Sequence, residues 1–310
     1  MGLREILIGE NPLEIEYLWN KMYNASNYIG RRGAGIHAIS ALDIALWDIA
    51  GQFYEVPVYT LLGGKHRNKI KAYGTFDPAG IPEENKALVE ELLNKGYRNI
   101  KLWCGIPGDD DLENDYRILK IVRETVGPKF ALSFDVAAKW GSYGNAFYRA
   151  KLLEEFDLNW IEEPLPSDDL IGHSKLRKNL NTRISGGETL STRYEFKDFI
   201  EFGHPDIIQP DVTRCGGISE MKKIYDLAQL NSTQLVPHCY STGILISATI
   251  HFLASSQFCD LIEYPINENP LIKCLVKNKV QFIDGFVEIP EEPGLGVILD
   301  EEIINKYRIF

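Results

Sequence analysis

The chain has 310 residues, of which 45% are hydrophobic and 25% are charged; this composition is typical of a globular protein and excludes a disordered or fibrous one. Its formal net charge of -11 argues against a nucleic-acid partner, which would require a basic face. No apolar run is expected to reach the length of a membrane span, and no signal peptide is expected at the start. Five cysteines without CxxC spacing indicate free thiols in a reducing compartment, so we expect a cytoplasmic protein.

The first segment, to about Gly64, is predicted to be helical. A helix is expected over 12–23, with an asparagine as N-cap and a proline at its first position. Apolar residues at helical spacing predict a second, largely buried helix over 35–53. Asp43 and Asp48 are the conspicuous polar members of that helix.

From residue 68 onward, short apolar strands alternate with amphipathic helices. Helices are predicted over 82–94, 110–126, 143–156, 170–180, 192–201, 218–230 and 244–255. Eight strands separated in this way predict an α/β fold with a (β/α)7β TIM-like barrel over 68–266. An open doubly wound sheet is the alternative, but no glycine-rich phosphate turn follows the first strand. Beyond residue 267 the periodicity is lost, and 281–289 is expected to fold over something other than the barrel.

Six strand ends carry an acid or a histidine, at steps of about 25 residues, which is one strand plus one helix of such a barrel. They are Asp135, Glu162, Glu188, Asp211, His238 and Glu263. Because reactive residues of a barrel project from the C-terminal ends of different strands, these side chains are predicted to converge on one mouth.

Three of these acids lie on consecutive strands, which are about 4.8 Å apart in a sheet. Asp135, Glu162 and Glu188 would repel one another unless a cation lies among them. A hard divalent ion that prefers oxygen ligands, most simply Mg²⁺, resolves this conflict. Glu163 competes with Glu162 for one position, and residue pattern alone does not choose between them. The alternative is a set of separate surface carboxylates.

An imidazole and a carboxylate also occupy neighbouring strand ends. Asp211 beside His238 would orient the ring, fix its tautomer and raise its basicity; the alternative is a histidine buried in the core. Lys101, at the end of the second strand, would lie on the side of the mouth opposite His238. From there it would stabilise the negative charge that develops on the substrate during proton abstraction. Glu263 could donate a proton or a hydrogen bond opposite the metal. For Lys101 and Glu263 the alternative is a solvated side chain.

The ordered motifs AISALDIALWDIAG, LLGG, KLW, SFD, WIEEP, GGE, QPD, PH and IEYP resemble those of the enolase superfamily, specifically its mandelate racemase branch. The resemblance covers nearly the whole chain. It implies one Mg²⁺ per subunit, held by Asp135, Glu162 and Glu188. It also implies that Asp211 and His238 form the catalytic dyad and that Glu263 is the electrophilic acid. Lys101 would be the first lysine of a Lys-x-Lys pair.

The chain departs from the family's pattern beside this lysine. Trp103 stands where the second lysine of the pair would be, and racemisation needs a base on each face of the carbon. The departure disfavours a racemase and favours a dehydratase, in which His238 would abstract the α-proton and help the β-hydroxide leave. Ala137 replaces a polar residue of many relatives, which would alter substrate contacts around it. The predicted substrate-binding residues are Trp103, Lys139, Trp140 and Tyr240.

The expected function is therefore Mg²⁺-dependent dehydration of an aldonate to a 2-keto-3-deoxy acid. Two alternatives remain: a racemase or epimerase of the same branch, and a truncated barrel that only binds a ligand or a partner. The family's α+β capping domain begins with antiparallel strands that this sequence lacks. Residues 1–67 would be only its helical part, with 267–310 returning to it. Either the natural start lies upstream of Met1, or this chain is a shortened form. The resemblance further implies a homo-oligomer, often an octamer.

Overall fold

The computed structural model describes residues 2–103, 111–266 and 269–308. Four helices precede the sheet: α1 (Leu3–Leu7), α2 (Ile15–Ser26), α3 (Ala34–Phe53) and α4 (Val58–Leu61). Helix α2 begins three residues later than predicted, because the side chain of Asn11 accepts from the Leu13 backbone N–H at 3.1 Å and closes a turn instead of capping a helix.

Eight parallel strands follow: β1 (Lys69–Phe76), β2 (Asn99–Trp103), β3 (Ala131–Asp135), β4 (Ile161–Glu162), β5 (Ile184–Gly186), β6 (Ile207–Ile208), β7 (Gln234–Leu235) and β8 (Leu261–Pro265). Each pairs with the next from β1 to β7, and β8 pairs with β1. The predicted α/β barrel architecture is confirmed. Its interior contains a cluster of Tyr73, Trp160, Ile207 and Val236.

Seven helices connect these strands and cover the outside of the barrel. They are α5 (Pro82–Asn94), α6 (Leu112–Val126), α7 (Tyr143–Leu153), α8 (Leu170–Asn179), α9 (Thr192–Asp198), α10 (Gly217–Leu230) and α11 (Gly243–Ser255). Their bounds lie within three residues of the predicted ones, because each carries an apolar face at helical spacing that the strands bury. The N-terminal turn of α6 is capped by Asp111, whose side chain accepts from Glu113 N and Asn114 N.

Helix α3 is long and apolar enough to cross a membrane by length and composition, which corrects the expectation that no run reaches that length. In the fold it packs against α2 and α10. Its Asp43 carboxylate is fully buried and accepts from Ser219 of α10, from the backbone N–H at 3.0 Å and the hydroxyl at 2.6 Å. Trp47 donates to the same hydroxyl at 3.0 Å. These polar bonds are those of a helix packed inside a folded domain.

The C-terminal segment contains α12 (Pro270–Lys273), β9 (Phe282–Ile283), β10 (Phe286–Glu288) and α13 (Glu301–Tyr307). Strand β10 pairs antiparallel with the start of β1, Ile70 opposite Val287. This corrects the expectation that 281–289 packs away from the barrel. The pairing of β1 with β2 begins only at Gly74, so the first residues of β1 have open backbone groups, which β10 satisfies.

The same segment also reaches the N-terminal helices. The backbone of Gly294 exchanges hydrogen bonds with the loop before α4, Val58 N to Gly294 O at 2.9 Å and Gly294 N to Val56 O at 3.0 Å. A Cβ at Gly294 would lie 2.2 Å from the Asp48 carboxylate, and its φ of +70° also favours glycine. The division into segments 1–67, 68–266 and 267–310 stays a prediction.

Candidate active site

Three carboxylates meet at the C-terminal mouth of the barrel. Asp135 ends β3, Glu162 ends β4, and Glu188 lies two residues beyond β5. One oxygen from each lies within 4.8 Å of the others. Carboxylate oxygens at this spacing fit a hard divalent cation such as Mg²⁺, which also binds water or substrate oxygens. The sequence prediction of three converging acids agrees with this placement.

The structure separates Glu162 from its neighbour Glu163. The backbone of Glu163 adopts a left-handed conformation, with φ of +42°. Its side chain accepts from the Gly187 backbone N–H at 2.6 Å and from the Ser167 hydroxyl, and it is not part of the cluster. Burial raises the pKa of Glu163 to about 7, against the opposing effect of the Gly187 hydrogen bond. Glu162 is therefore the member of the pair that joins the three-acid cluster.

Lys101 lies among the acids, with its side chain fully buried. Its ammonium bonds directly to Glu162 Oε1, and it lies 2.9 Å from Glu263 Oε1 and 3.5 Å from Asp135 Oδ2. Burial by itself lowers the pKa of a lysine, but here Glu162 and Glu263 outweigh burial and raise the Lys101 pKa well above its usual value. The ammonium is therefore a fixed positive charge beneath the mouth.

Asp211 and His238 form a buried dyad. Asp211 Oδ2 lies 2.7 Å from His238 Nδ1, while its Oδ1 accepts from Thr213, from the backbone N–H at 2.7 Å and the hydroxyl at 2.5 Å. Because an ionised carboxylate only accepts, His238 Nδ1 carries the hydrogen. Burial raises the pKa of Asp211, but the hydrogen bond and charge of His238, the charge of Arg214 and the hydrogen bond from Thr213 together outweigh burial and hold that pKa below its usual value.

The second ring nitrogen of His238 faces the metal-ligand cluster. His238 Nε2 lies 3.3 Å from Glu188 Oε2. Burial lowers the pKa of His238, but the charges of Glu188, Glu263 and Asp211 outweigh burial and raise it to about 9. Because Nδ1 keeps its hydrogen in the bond to Asp211, Nε2 is the nitrogen that loses its proton when a cation offsets the charges of these acids, and Nε2 can then accept a proton.

Glu263 lies inside β8 and not at its end. Its Oε1 accepts from the Thr75 hydroxyl at 2.6 Å and from Lys101, and its Oε2 accepts from the Cys239 backbone N–H at 2.8 Å. Burial raises the pKa of Glu263, but the charges of Lys101 and His238 together with the hydrogen bonds from Thr75 and Cys239 outweigh burial and lower the pKa to about 2. A carboxylate surrounded by donors accepts, so the arrangement does not fit the sequence expectation that Glu263 donates a proton or hydrogen bond.

A cavity of about 280 Å³ opens over these groups. It is lined by Asp135 and Glu188 of the cluster, by His238 and Glu263, and by Thr75, Asp77, Trp103, Ala137, Arg214 and Tyr240. Trp103 and Tyr240, two of the predicted substrate-binding residues, line this cavity, and their contact with substrate stays a prediction. Burial, followed by the charges of Asp77 and Glu263, raises the pKa of Tyr240 to about 12, so its hydroxyl stays protonated and can donate.

The other two predicted substrate contacts lie elsewhere. Lys139 Nζ lies 4.1 Å from the centroid of the Trp103 ring and is not among the lining residues of the cavity. Trp140 is 2% exposed and packs in the core between strands and helices, so the prediction that it contacts substrate does not fit its placement. Ala137 and Ala138 both have left-handed φ, +49° and +60°, and Trp140 is buried two residues after this turn.

Sequence reasoning missed Arg214. Its guanidinium donates to Glu188 Oε1 at 3.0 Å and lies 3.8 Å from Asp211 Oδ2. The available signal was its position three residues after Asp211, in the same turn. Asp135, Glu162, Glu188, Asp211 and Glu263 thus face two permanent cations, Lys101 and Arg214. This excess of negative charge in a largely buried site favours a divalent cation among the acids.

The fold and the site define a (β/α)-barrel enzyme with three clustered carboxylates beside a buried histidine–aspartate pair. Comparison with known protein families identifies the family of this chain. The model described as Enolase C-terminal domain-like matches residues 84–303, and the mandelate racemase / muconate lactonizing enzyme N-terminal domain matches residues 2–63. The chain belongs to this family of the enolase superfamily.

Relatives and solved structures cover nearly the whole chain. D-galactarolactone cycloisomerase of Agrobacterium fabrum is 32% identical over 98% of this chain and 82% of its own length. Arabinonate dehydratase of Saccharolobus solfataricus is 34% identical over 99% of this chain and 81% of its own length. A crystal structure described as a racemase from Streptomyces coelicolor A3(2) with bound magnesium has a TM-score of 0.89 and 32% identity, covering 98% of this chain and 81% of that one.

Proposed function

We propose that this protein is a Mg²⁺-dependent dehydratase of a sugar acid, an aldonate, and that its product is a 2-keto-3-deoxy acid. One observation carries the proposal: Asp211 holds the ring of His238 with its hydrogen on Nδ1, and Nε2 faces Glu188 of the three-acid cluster in a cavity that Asp135 also lines. The similarity to arabinonate dehydratase supports the reaction type. The magnesium-bound structure of a relative supports the identity of the ion.

One Mg²⁺ per subunit, held by Asp135, Glu162 and Glu188, would supply positive charge that acidifies the carbon next to a bound carboxylate. His238 Nε2 takes the α-proton, and Asp211 stabilises the resulting imidazolium. The electron pair of the broken C–H bond forms a carbon–carbon double bond as the β-carbon–oxygen bond breaks. His238 returns its proton to the departing hydroxide, so water leaves and the remaining enol tautomerises to the keto acid.

Two further residues prepare the cavity for this chemistry. Lys101 keeps a positive charge beneath the mouth, where it stabilises the negative charge that develops on the substrate during proton removal. Trp103 lines the same cavity. Because an indole cannot take a proton from carbon, Trp103 cannot be the second base that a racemase or epimerase needs, and this disfavours both.

A cycloisomerase is the second candidate, favoured by the similarity to D-galactarolactone cycloisomerase. It would begin with the same proton removal and differ in the leaving group, a ring oxygen of the substrate in place of a hydroxide. The residues that remove the proton therefore do not distinguish a dehydratase from a cycloisomerase. Only analysis of the product distinguishes them.

The test is a panel of aldonates and sugar-acid lactones incubated with the protein and MgCl₂ in D₂O. A keto acid formed with loss of water supports the dehydratase. Exchange of the α-hydrogen for deuterium without elimination would identify a racemase or epimerase, and an isomeric product without loss of water a cycloisomerase. His238→Asn is the control, because it removes the base; no turnover by the wild type with any of these compounds would contradict the proposal and favour a barrel that only binds.

The proposal extends to a cytoplasmic homo-oligomer, with an octamer as the expected form. The buried free thiols of Cys215, Cys239 and Cys259 support a reducing compartment. Light scattering coupled to size-exclusion chromatography measures the assembly directly, and a monomer of 35.2 kDa would contradict this part of the proposal.

A further inference from the structure

The Glu162 carboxylate receives hydrogen bonds from three buried donors. Lys101 bonds to Oε1, while Oε2 accepts from the Trp160 indole N–H at 2.9 Å and from the Gln209 side-chain amide at 2.6 Å. Glu162, Lys101 and Gln209 have no exposed surface and Trp160 is 2% exposed. Neither Trp160 nor Gln209 lines the cavity, so both act on Glu162 from inside the barrel.

The chain places these donors by the alternation of strands. Trp160 directly precedes β4, and Glu162 ends it two residues later. Side chains two apart in extended backbone point the same way, and Trp160 packs in the interior cluster of the barrel. Gln209 directly follows β6, two residues before Asp211 of the dyad. Its amide orientation is fixed, because the carboxylate of Glu162 requires a donor. Gln209 therefore links the strand of a predicted metal ligand to the strand of the dyad.

Counting lone pairs shows what these bonds leave open. An ionised carboxylate offers about four acceptor positions, two on each oxygen. Trp160 and Gln209 fill both positions on Oε2 of Glu162, and Lys101 fills one on Oε1. A single lone pair, on Oε1, remains for any further partner. Two bonds to one oxygen also prevent the carboxylate from rotating about its last torsion.

We propose that Trp160 and Gln209 are positioning residues that restrict Glu162 to one open lone pair and thereby set the Mg²⁺ affinity of the site. The inference rests on the proposed metal site and goes beyond it, because neither residue is expected to touch the ion. Groups that orient a metal ligand typically change metal affinity ten- to hundredfold when they are removed. Removal of either donor frees the carboxylate to rotate, and we expect a loss in that range.

The experiment measures Mg²⁺ binding by calorimetry on EDTA-treated protein, together with thermal unfolding in EDTA and in MgCl₂. Trp160→Phe removes the indole donor and keeps an aromatic ring, and Gln209→Leu removes the amide and keeps its volume. Trp140→Phe and Tyr73→Phe are matched controls. Trp140 is equally buried but lies in the outer core, and Tyr73 packs edge-on against Trp160 at 5.5 Å between ring centroids. The Trp140 indole and the Tyr73 hydroxyl have no partner among the described residues.

The expected result is a Kd for Mg²⁺ raised ten- to hundredfold in Trp160→Phe and Gln209→Leu, with both controls within twofold of the wild type. The double variant should lose less than the product of the single effects, because both donors act on one oxygen. If one variant fails to fold in EDTA, the other still decides the matter. Unchanged Kd values in both variants overturn the inference alone. A wild type that binds no Mg²⁺ overturns the proposed metal-dependent function as well.

Discussion

Replacing Asp211 by Asn tests the dyad with little change in shape. The carboxylate makes one bond to His238 and two to Thr213. In the variant, the amide oxygen best faces the two Thr213 donors, because the opposite orientation leaves the Thr213 backbone N–H without an acceptor, at a cost of about 1–3 kcal/mol. The amide nitrogen then donates to His238 Nδ1, and the ring hydrogen moves to Nε2.

That tautomer cannot accept a proton from the substrate at Nε2. A bias of about 1–3 kcal/mol leaves only a small fraction of the enzyme with the productive tautomer. The variant also lacks the charge that stabilises the imidazolium. Together these losses should approach the whole contribution of a general base, roughly 10²–10⁴-fold in kcat.

The assay is the initial rate of keto-acid formation from the best aldonate at saturating Mg²⁺, with the unfolding temperature as a check on folding. Thr213→Val is the matched control, because it removes one donor to Asp211 and leaves the His238 bond and the charge intact; we expect a loss below about tenfold. An Asp211→Asn variant within about threefold of the wild-type rate would refute the assignment of His238 and Asp211 as the base and its partner.

Three further outcomes are expected. Lys101→Met should lower the unfolding temperature far more in EDTA than in MgCl₂, because loss of one partner of a buried charge cluster costs about 3–5 kcal/mol and a bound cation compensates for it. Glu163→Gln should keep the wild-type Kd for Mg²⁺ within about threefold, whereas Glu162→Gln should abolish binding measurable by calorimetry. Burial raises the Asp43 pKa to about 7, so its contribution to stability is complete below about pH 4 and is lost as pH rises to about 7. Asp43→Asn should remove this part of the pH dependence in unfolding scans; equal slopes in wild type and variant between pH 5 and 7 would contradict the buried-carboxylate argument.

Periodicity was enough to predict the barrel, because alternating apolar strands and amphipathic helices are a local property of the sequence. It also predicted that Asp135, Glu162 and Glu188 converge, since one strand–helix step separates each from the next. The prediction holds even where a residue is not the last one of a paired strand. Glu188 lies two residues beyond β5, and one of its carboxylate oxygens is still within 4.8 Å of an oxygen of each of the other two acids. The spacing of strand ends around a barrel mouth tolerates such offsets.

The remaining features depend on backbone turns and distant partners that a single sequence does not reveal. The choice between Glu162 and Glu163 depends on the left-handed backbone of Glu163, whose side chain is held by the backbone N–H of Gly187 just after the neighbouring strand β5. Trp140 was misplaced because alanines rarely adopt the left-handed turn that precedes it. The bond between Thr75 and Glu263 joins residues 188 positions apart, and no local pattern predicts such a contact.

The antiparallel pairing of β10 with the start of β1 matters for anyone who wishes to express the barrel alone. A fragment trimmed at residue 266 would keep all eight parallel strands of the barrel. It would nevertheless expose unpaired amides and carbonyls along the first of them, and such an edge recruits other chains into aggregates. The smallest unit worth producing therefore extends at least through residue 288.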